Sequence, residues 1–160
     1  MYYDEASLSG HNVLHVLFAA KKYLMEGLVS RCQSFLKEEM SEDNVCTILN
    51  HCIRYDEKQL TDDCVNFLTS NSHGVFQSEG FLGLSEAALF ELLSNDKFGL
   101  PNEIDLLKAC IKWTTAQGKM GSTRHILGEA LYQIRFHVIS AEDLLEINED
   151  SDLLTNEETL

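Results

Sequence analysis

A single proline and nine glycines in 160 residues leave this chain short of the punctuation that a many-stranded β protein needs. It has no apolar run approaching the ~20 residues of a membrane-spanning helix. Its first residues show no charged region followed by an apolar stretch, the mark of a secretory signal. Bases are scarce, with 12 Lys and Arg against 26 Asp and Glu, a formal net charge of −14. No segment is basic enough to neutralise a row of phosphates, which argues against direct binding of nucleic acid. An anionic membrane surface would repel the chain for the same reason. Cysteines are present, but Cys32, Cys46, Cys52, Cys64 and Cys110 are odd in number, irregularly spaced and without a C-x-x-C pair. They read as small core hydrophobes in a reducing, cytoplasmic or nuclear compartment, not as a disulfide framework.

The acid is unevenly spread. Residues 1–70 carry 11 acids and 6 bases, residues 71–140 carry 7 and 6, and residues 141–160 carry 8 and none. More than half of the excess therefore falls in the last twenty residues, expected to end in a solvated acidic tail over residues 148–160. The rest of the chain, with 44% apolar residues overall, has enough to build a core.

Apolar residues recur at helical spacing almost throughout. Val13, Val16, Leu17, Ala20 and Leu24 define one face of a first helix, with Asn12 placed to cap it. A second helix over about 25–39 turns Leu28, Cys32, Phe35 and Leu36 inward. Ser41 then caps a third, with Val45, Ile48, Leu49 and Cys52 as its stripe. A fourth follows the Tyr55-Asp56-Glu57 corner, with Leu60, Cys64, Phe67 and Leu68. Two antiparallel helix pairs are thus expected in the first seventy residues. Beyond the break at 71–74, Ser85 starts a helix through Leu89, Leu92 and Leu93. A long one over about 102–117 carries Leu106, Leu107, Cys110 and Trp113, and another runs from Thr123 through Leu131. Ser140 with Asp143 resembles a capping box ahead of Leu144, Leu145 and Ile147. The fold class is all-α, an array of antiparallel helix pairs.

The residue types of a reaction centre are not assembled in this pattern. There is no Gly-x-Ser-x-Gly elbow, and Gly80-x-x-Gly83 lacks the lysine and preceding strand of a phosphate loop. His11 and His15 share a helix face without a nearby third ligand for zinc. Asn148, Asp150 and Asp152 mimic the start of a calcium loop, but Leu153 stands where glycine is required and Thr159 where glutamate is. No cofactor or metal is expected. Asp62-Asp63 and Glu38-Glu39 read as solvated helix faces, and Trp113 as a core residue.

Several segments resemble known families. Met1-Tyr2-Tyr3-Asp4-Glu5 followed by Leu8 looks like the last strand of a BTB (POZ) domain. Ala19-Ala20-Lys21-Lys22-Tyr23-Leu24 and Cys32-x-x-Phe35-Leu36 look like its final two helices. Asn44-x-Cys46, Asp56-Glu57-x-x-Leu60, Ser78-Glu79-Gly80-Phe81, Trp113, Leu127-Gly128-x-Ala130-Leu131-Tyr132 and Ile134-Arg135-Phe136 resemble a BACK domain. The closing Ser151-Asp152-x-Leu154-Thr155-x-Glu157-Glu158-Thr159 fits as well, with the strongest likeness to BTB–BACK proteins that carry a C-terminal PHR domain. His137 departs from the pattern, standing where such proteins usually place proline.

The resemblance implies the end of a BTB domain over 1–40 and a BACK domain over 41–147, ahead of the acidic tail over 148–160. It also implies a non-catalytic substrate adaptor of the cullin-3 RING ubiquitin ligase. In such adaptors the BTB domain dimerises and grips cullin-3, the first BACK helix pair (the 3-box, here about 41–70) adds a groove for the cullin's N-terminal segment, and a separate C-terminal domain recruits a substrate protein. Most of the BTB part and any substrate reader are expected to lie outside this chain. Tyr2 matches the family's strand tyrosine near the cullin surface. Leu49 and Ile53 are the candidate groove-lining residues, with ordinary helix packing as the other reading of both. A BTB-type transcription regulator or general scaffold remains the alternative function. Without a BTB sheet over them, Val16, Leu17, Phe18 and Phe35 are expected to leave apolar surface uncovered and to promote self-association.

Overall fold

Most positions of each predicted stripe are covered on a helix face, but Leu24, expected on the first stripe, lies exposed at a hairpin tip beyond α1, and Leu145, expected on the last, is half exposed. A computed structural model describes residues 7–96, 98–100, 102–151 and 153, and among the described residues every regular element is helical. The order is α1 (Val13–Lys22), α2 (Glu26–Glu38), α3 (Val45–Arg54), α4 (Lys58–Ser70), α5 (Ser72–Gln77), α6 (Glu79–Leu82), α7 (Glu86–Ser94), α8 (Glu103–Ala116), α9 (Thr123–Leu127), two 3₁₀ turns (Gly128–Gln133 and Phe136–Val138) and α10 (Ala141–Ser151). The strand expected at Met1–Glu5 lies outside the described residues.

The α1–α2 and α3–α4 hairpins are the same structure made twice, thirty-two residues apart. Asn12 and Asn44 play the same part in each. The Asn12 Oδ1 accepts the Ser9 N–H at 2.9 Å and its Nδ2 donates to the Ser7 carbonyl at 2.9 Å. The Asn44 Oδ1 accepts the Ser41 N–H at 2.8 Å and its Nδ2 donates to the Glu39 carbonyl at 2.8 Å. Neither Asn12 nor Ser41 is therefore the helix cap that the sequence suggested. The asparagine amide serves the preceding turn instead, and no side chain caps α1 or α3.

The tips repeat as well. Leu24 and Asp56 both take φ of 54°, and the next N–H, of Met25 or Glu57, donates back to Ala20 or Cys52 at 2.8 or 2.9 Å. Val13, Leu17, Cys32 and Leu36 in the first copy match Val45, Leu49, Cys64 and Leu68 in the second, all buried. The copies differ where they meet. Glu57, only 3% exposed, accepts an ion pair from Lys21 at 2.6 Å and is approached by the Gln33 amide at 3.5 Å. With Lys37–Asp63 at 3.0 Å, this fastens the first hairpin along α4. Of the four side chains expected to lie uncovered, Leu17 is fully buried, Val16 and Phe35 are half-buried against the core, and Phe18 alone stays open at 46%.

The remaining helices build outward from α3. Asn50 on α3 donates its Nδ2 to the Gly83 carbonyl and accepts the Ser85 N–H, both at 2.8 Å, which clamps the α6–α7 junction to the second hairpin. Gly80 belongs here because a Cβ would sit 2.7 Å from the Asp43 carbonyl oxygen. Ser85 caps α7 by accepting the Ala88 N–H at 3.2 Å. Trp113 is buried, and its indole N–H donates to the Leu84 carbonyl at 2.8 Å.

The helix expected from Thr123 to Leu131 stops at Leu127, since Gly128 turns to φ +52° and 3₁₀ turns follow. Buried Glu103 at the start of α8 holds these turns. It accepts the Arg135 backbone N–H at 2.9 Å and its guanidinium at 3.0 Å. Ser140 opens α10, donating its hydroxyl to Asp143 at 2.6 Å and accepting the Asp143 N–H at 3.2 Å.

A leucine at positive φ costs about 1–2 kcal/mol unless its side chain recovers it in packing, and Leu24 is 86% exposed. Leu24→Asn is therefore expected to stabilise the chain by about 0.5–1 kcal/mol in urea unfolding; a clear loss of stability would reveal a packing role for this side chain.

Candidate functional site

The two hairpins are fastened along their α2 and α4 side, and their first helices diverge on the other. Between α1 and α3 lies a groove of about 410 Å³. Leu14, His15 and Phe18 line it from α1. Thr47, Asn50, His51 and Arg54 line it from α3, with Tyr55 at its end. These residues point here because the inward stripes of both helices are already spent on the core, leaving the adjoining face of each for the groove. Phe18 lies 4.9 Å from Tyr55 between ring centroids, tilted by 49°. His51 lies 4.4 Å from the same ring. The three rings form a continuous aromatic floor.

Five of the nine large hydrophobic side chains that stay exposed among the described residues belong to α1, the tip that follows it or the end of α3: Phe18, Tyr23, Leu24, Met25 and Tyr55, of which Phe18 and Tyr55 line the groove.

His51 is the strained polar group of the site. Its Nε2 is sealed from solvent and has no hydrogen-bond partner. Burial holds its pKa below the ordinary imidazole value. Glu57 pulls the other way, and His15 and Arg54 add to the depression. The thiols are poor nucleophiles. Burial pushes Cys46 and Cys110 up to about 12, and Cys64 is raised by its hydrogen bond with Cys52 and then by burial. All five cysteines are free and buried. Among the described residues no group of three His, Cys, Asp or Glu side chains is placed to hold a metal ion, and no helix is long and apolar enough to cross a membrane.

The sequence candidates are placed as follows. Tyr2 lies outside the described residues. Leu49 is wholly buried between the helices of the second hairpin, so it offers a partner no surface, and the open groove runs along the neighbouring face of α3. Ile53 is half-buried on a different side of α3, in a polar depression beside Asp56, Asp62 and Glu91. Phe18, His51, Arg54 and Tyr55 were missed as site residues. The available signal was their spacing: Thr47, His51 and Arg54 recur at four and three residues, one helical face away from the apolar stripe.

The state of His51 has a measurable consequence. The unfolded chain takes up this proton first as pH falls through about 6.5, while the folded chain resists it, so folding stability drops on acidification. His51→Gln is expected to flatten the fall in melting temperature between about pH 7 and pH 5. An unchanged slope would place the proton uptake elsewhere.

Residues 45–149, more than half of the chain, match the family model described as BACK, BTB And C-terminal Kelch. Similar proteins include the human BTB/POZ domain-containing protein 6, 30% identical over 166 residues, and the zebrafish (Danio rerio) BTB/POZ domain-containing protein 6-B, 31% identical. The human BTB/POZ domain-containing protein 3 is 29% identical. Each alignment covers 99% of this chain but only 31%, 34% and 32% of the respective relative, so the chain spans about a third of the length of these curated relatives. With its second helix hairpin, its Asn44 turn, its close-packed Gly80 and its buried Trp113 all inside or at the edge of the matched segment, the chain belongs to the BACK family of BTB–BACK proteins.

Proposed function

We propose that this chain is the non-catalytic interaction module of a cullin-3 RING ubiquitin ligase substrate adaptor. In this reading residues 1–40 end a BTB domain, residues 41–147 form the BACK domain, and the module sits in the cytoplasm. It links a BTB domain that dimerises and binds cullin-3 to a further domain that recruits a substrate protein. The observation that carries the reading is the aromatic groove between α1 and α3, because it lies at the junction of the two hairpins. A cullin segment reaching past the BTB surface would meet Phe18 and Tyr55 there.

The physical task is positioning. The adaptor lowers no barrier; it raises the local concentration of a substrate near the transfer machinery, and dimerisation through a BTB domain multiplies that effect. Rigidity matters for this task, and the ion pair of Lys21 with buried Glu57 and the Asn50 clamp supply it. Membership of the BACK family and the likeness to BTB/POZ domain-containing proteins support protein interaction as the general role.

Aromatic anchors at the centre of an interface typically contribute about 2 kcal/mol or more, close to thirtyfold in affinity. Phe18→Ala with Tyr55→Ala is expected to weaken capture of the cullin-3 amino-terminal region by at least that factor, measured by titration calorimetry on the protein with its BTB domain. Cullin-3 binding that is absent from the unsubstituted protein, or untouched by the double substitution, would count against the reading.

A further inference from the structure

The chain is strongly acidic, yet the groove is not. Residues 7–25, which hold α1 and its tip, and residues 44–55, which hold α3 and its flanks, contain no aspartate or glutamate in a sequence with 26 of them. What they do contain is Lys21, Lys22 and Arg54, with His11, His15 and His51. Lys21 is engaged by Glu57. Lys22 and Arg54 are exposed, and neither has a carboxylate partner among the described residues.

The duplication places these two cations at equivalent positions. Lys22 precedes Tyr23 as Arg54 precedes Tyr55, thirty-two residues later. The Lys22 ammonium stands 5.8 Å from the centre of the Tyr23 ring, and the Arg54 guanidinium 5.8 Å from that of Tyr55. Each hairpin thus ends in a cation held over a partly exposed tyrosine. The acids nearest in sequence to these tips are Glu26, exposed at the start of α2, Asp56, exposed at the second tip, and Glu57, which is buried.

We infer that the α1–α3 groove, with Arg54 and Tyr55 in its lining and Lys22 one helical turn beyond Phe18 on α1, selects an acidic, apolar polypeptide segment. Its apolar side chains lie on Phe18 and Tyr55, and its carboxylates meet Lys22 and Arg54. This rests on the groove being the partner surface proposed above, and it adds the chemistry of the segment that surface accepts. An acidic segment is disfavoured by the net charge of this molecule but favoured at a groove free of carboxylates; a basic segment is drawn to the acidic remainder of the surface.

The test uses the intact chain and labelled amphipathic peptides of about four helical turns, with one leucine and phenylalanine face and a second face carrying glutamate, glutamine or lysine. The glutamate peptide is expected to bind about tenfold more tightly than the glutamine peptide at low salt, with the gap closing as ionic strength rises beyond about 0.15 M. Lys22→Gln with Arg54→Gln, both on exposed side chains, is expected to erase the gap, whereas Phe18→Ala weakens both peptides alike. Equal binding of the glutamate and glutamine peptides, no binding of either, or a preference that survives the double substitution overturns the inference. Cullin-3 capture measured in parallel separates the two ideas. Glutamate preference without cullin capture rejects the cullin reading alone, and cullin capture without glutamate preference rejects this inference alone.

Discussion

An isolated pair of amphipathic helices has more apolar stripe than it can cover by itself, and the architecture follows from how that surplus is disposed of. The first hairpin places its stripe on the second, and the second lies against α6 and α7. Leu17, Leu49, Leu60 and Leu68 are consequently all removed from water. At about 25 cal/mol for each Å² buried, these contacts outweigh every ion pair in the molecule. The polar groups set register. Asn12 and Asn44 fix where each hairpin begins, Asn50 fixes where the next helices attach, and Glu103 fixes where the 3₁₀ turns fold back.

Because the inward faces are consumed in this way, the surface open to a partner lies on adjoining faces. That is why the groove is built from Phe18, His51 and Tyr55 and not from the most apolar positions of α3. Leu49 illustrates the rule: its place on the stripe made it a candidate for the groove, and the same place buries it.

The helices were legible because their stripes recur at three and four residues over ten or more positions, and Ser85, Trp113 and the five buried thiols stand where that periodicity puts them. The caps at Asn12 and Ser41 were less so. Asparagine satisfies a preceding turn as readily as a helix start, and only the path of the backbone decides between them. The break after Leu127 turns on the handedness of one glycine. The internal duplication escaped notice because it resides in matched turns and scattered identities such as Tyr23 and Tyr55, while most intervening side chains have diverged. The groove depends on the divergence of two helices some thirty residues apart, a distance over which local patterning carries no information.

The two hairpin tips share one backbone geometry but serve mechanically different ends. At the second, a carboxylate stands where the first has methionine and reaches a lysine of the first hairpin, so the joint between the copies behaves as a welded elbow. At the first, the matching position is a half-open methionine beside a strained, solvent-facing leucine. Small rotations at such an elbow would be magnified along any domain mounted on it, in the way a short error at a hinge becomes a long sweep at the end of a door. In the proposed role, anchoring that one corner on a buried carboxylate would set how faithfully a domain on one side is aimed at a domain on the other.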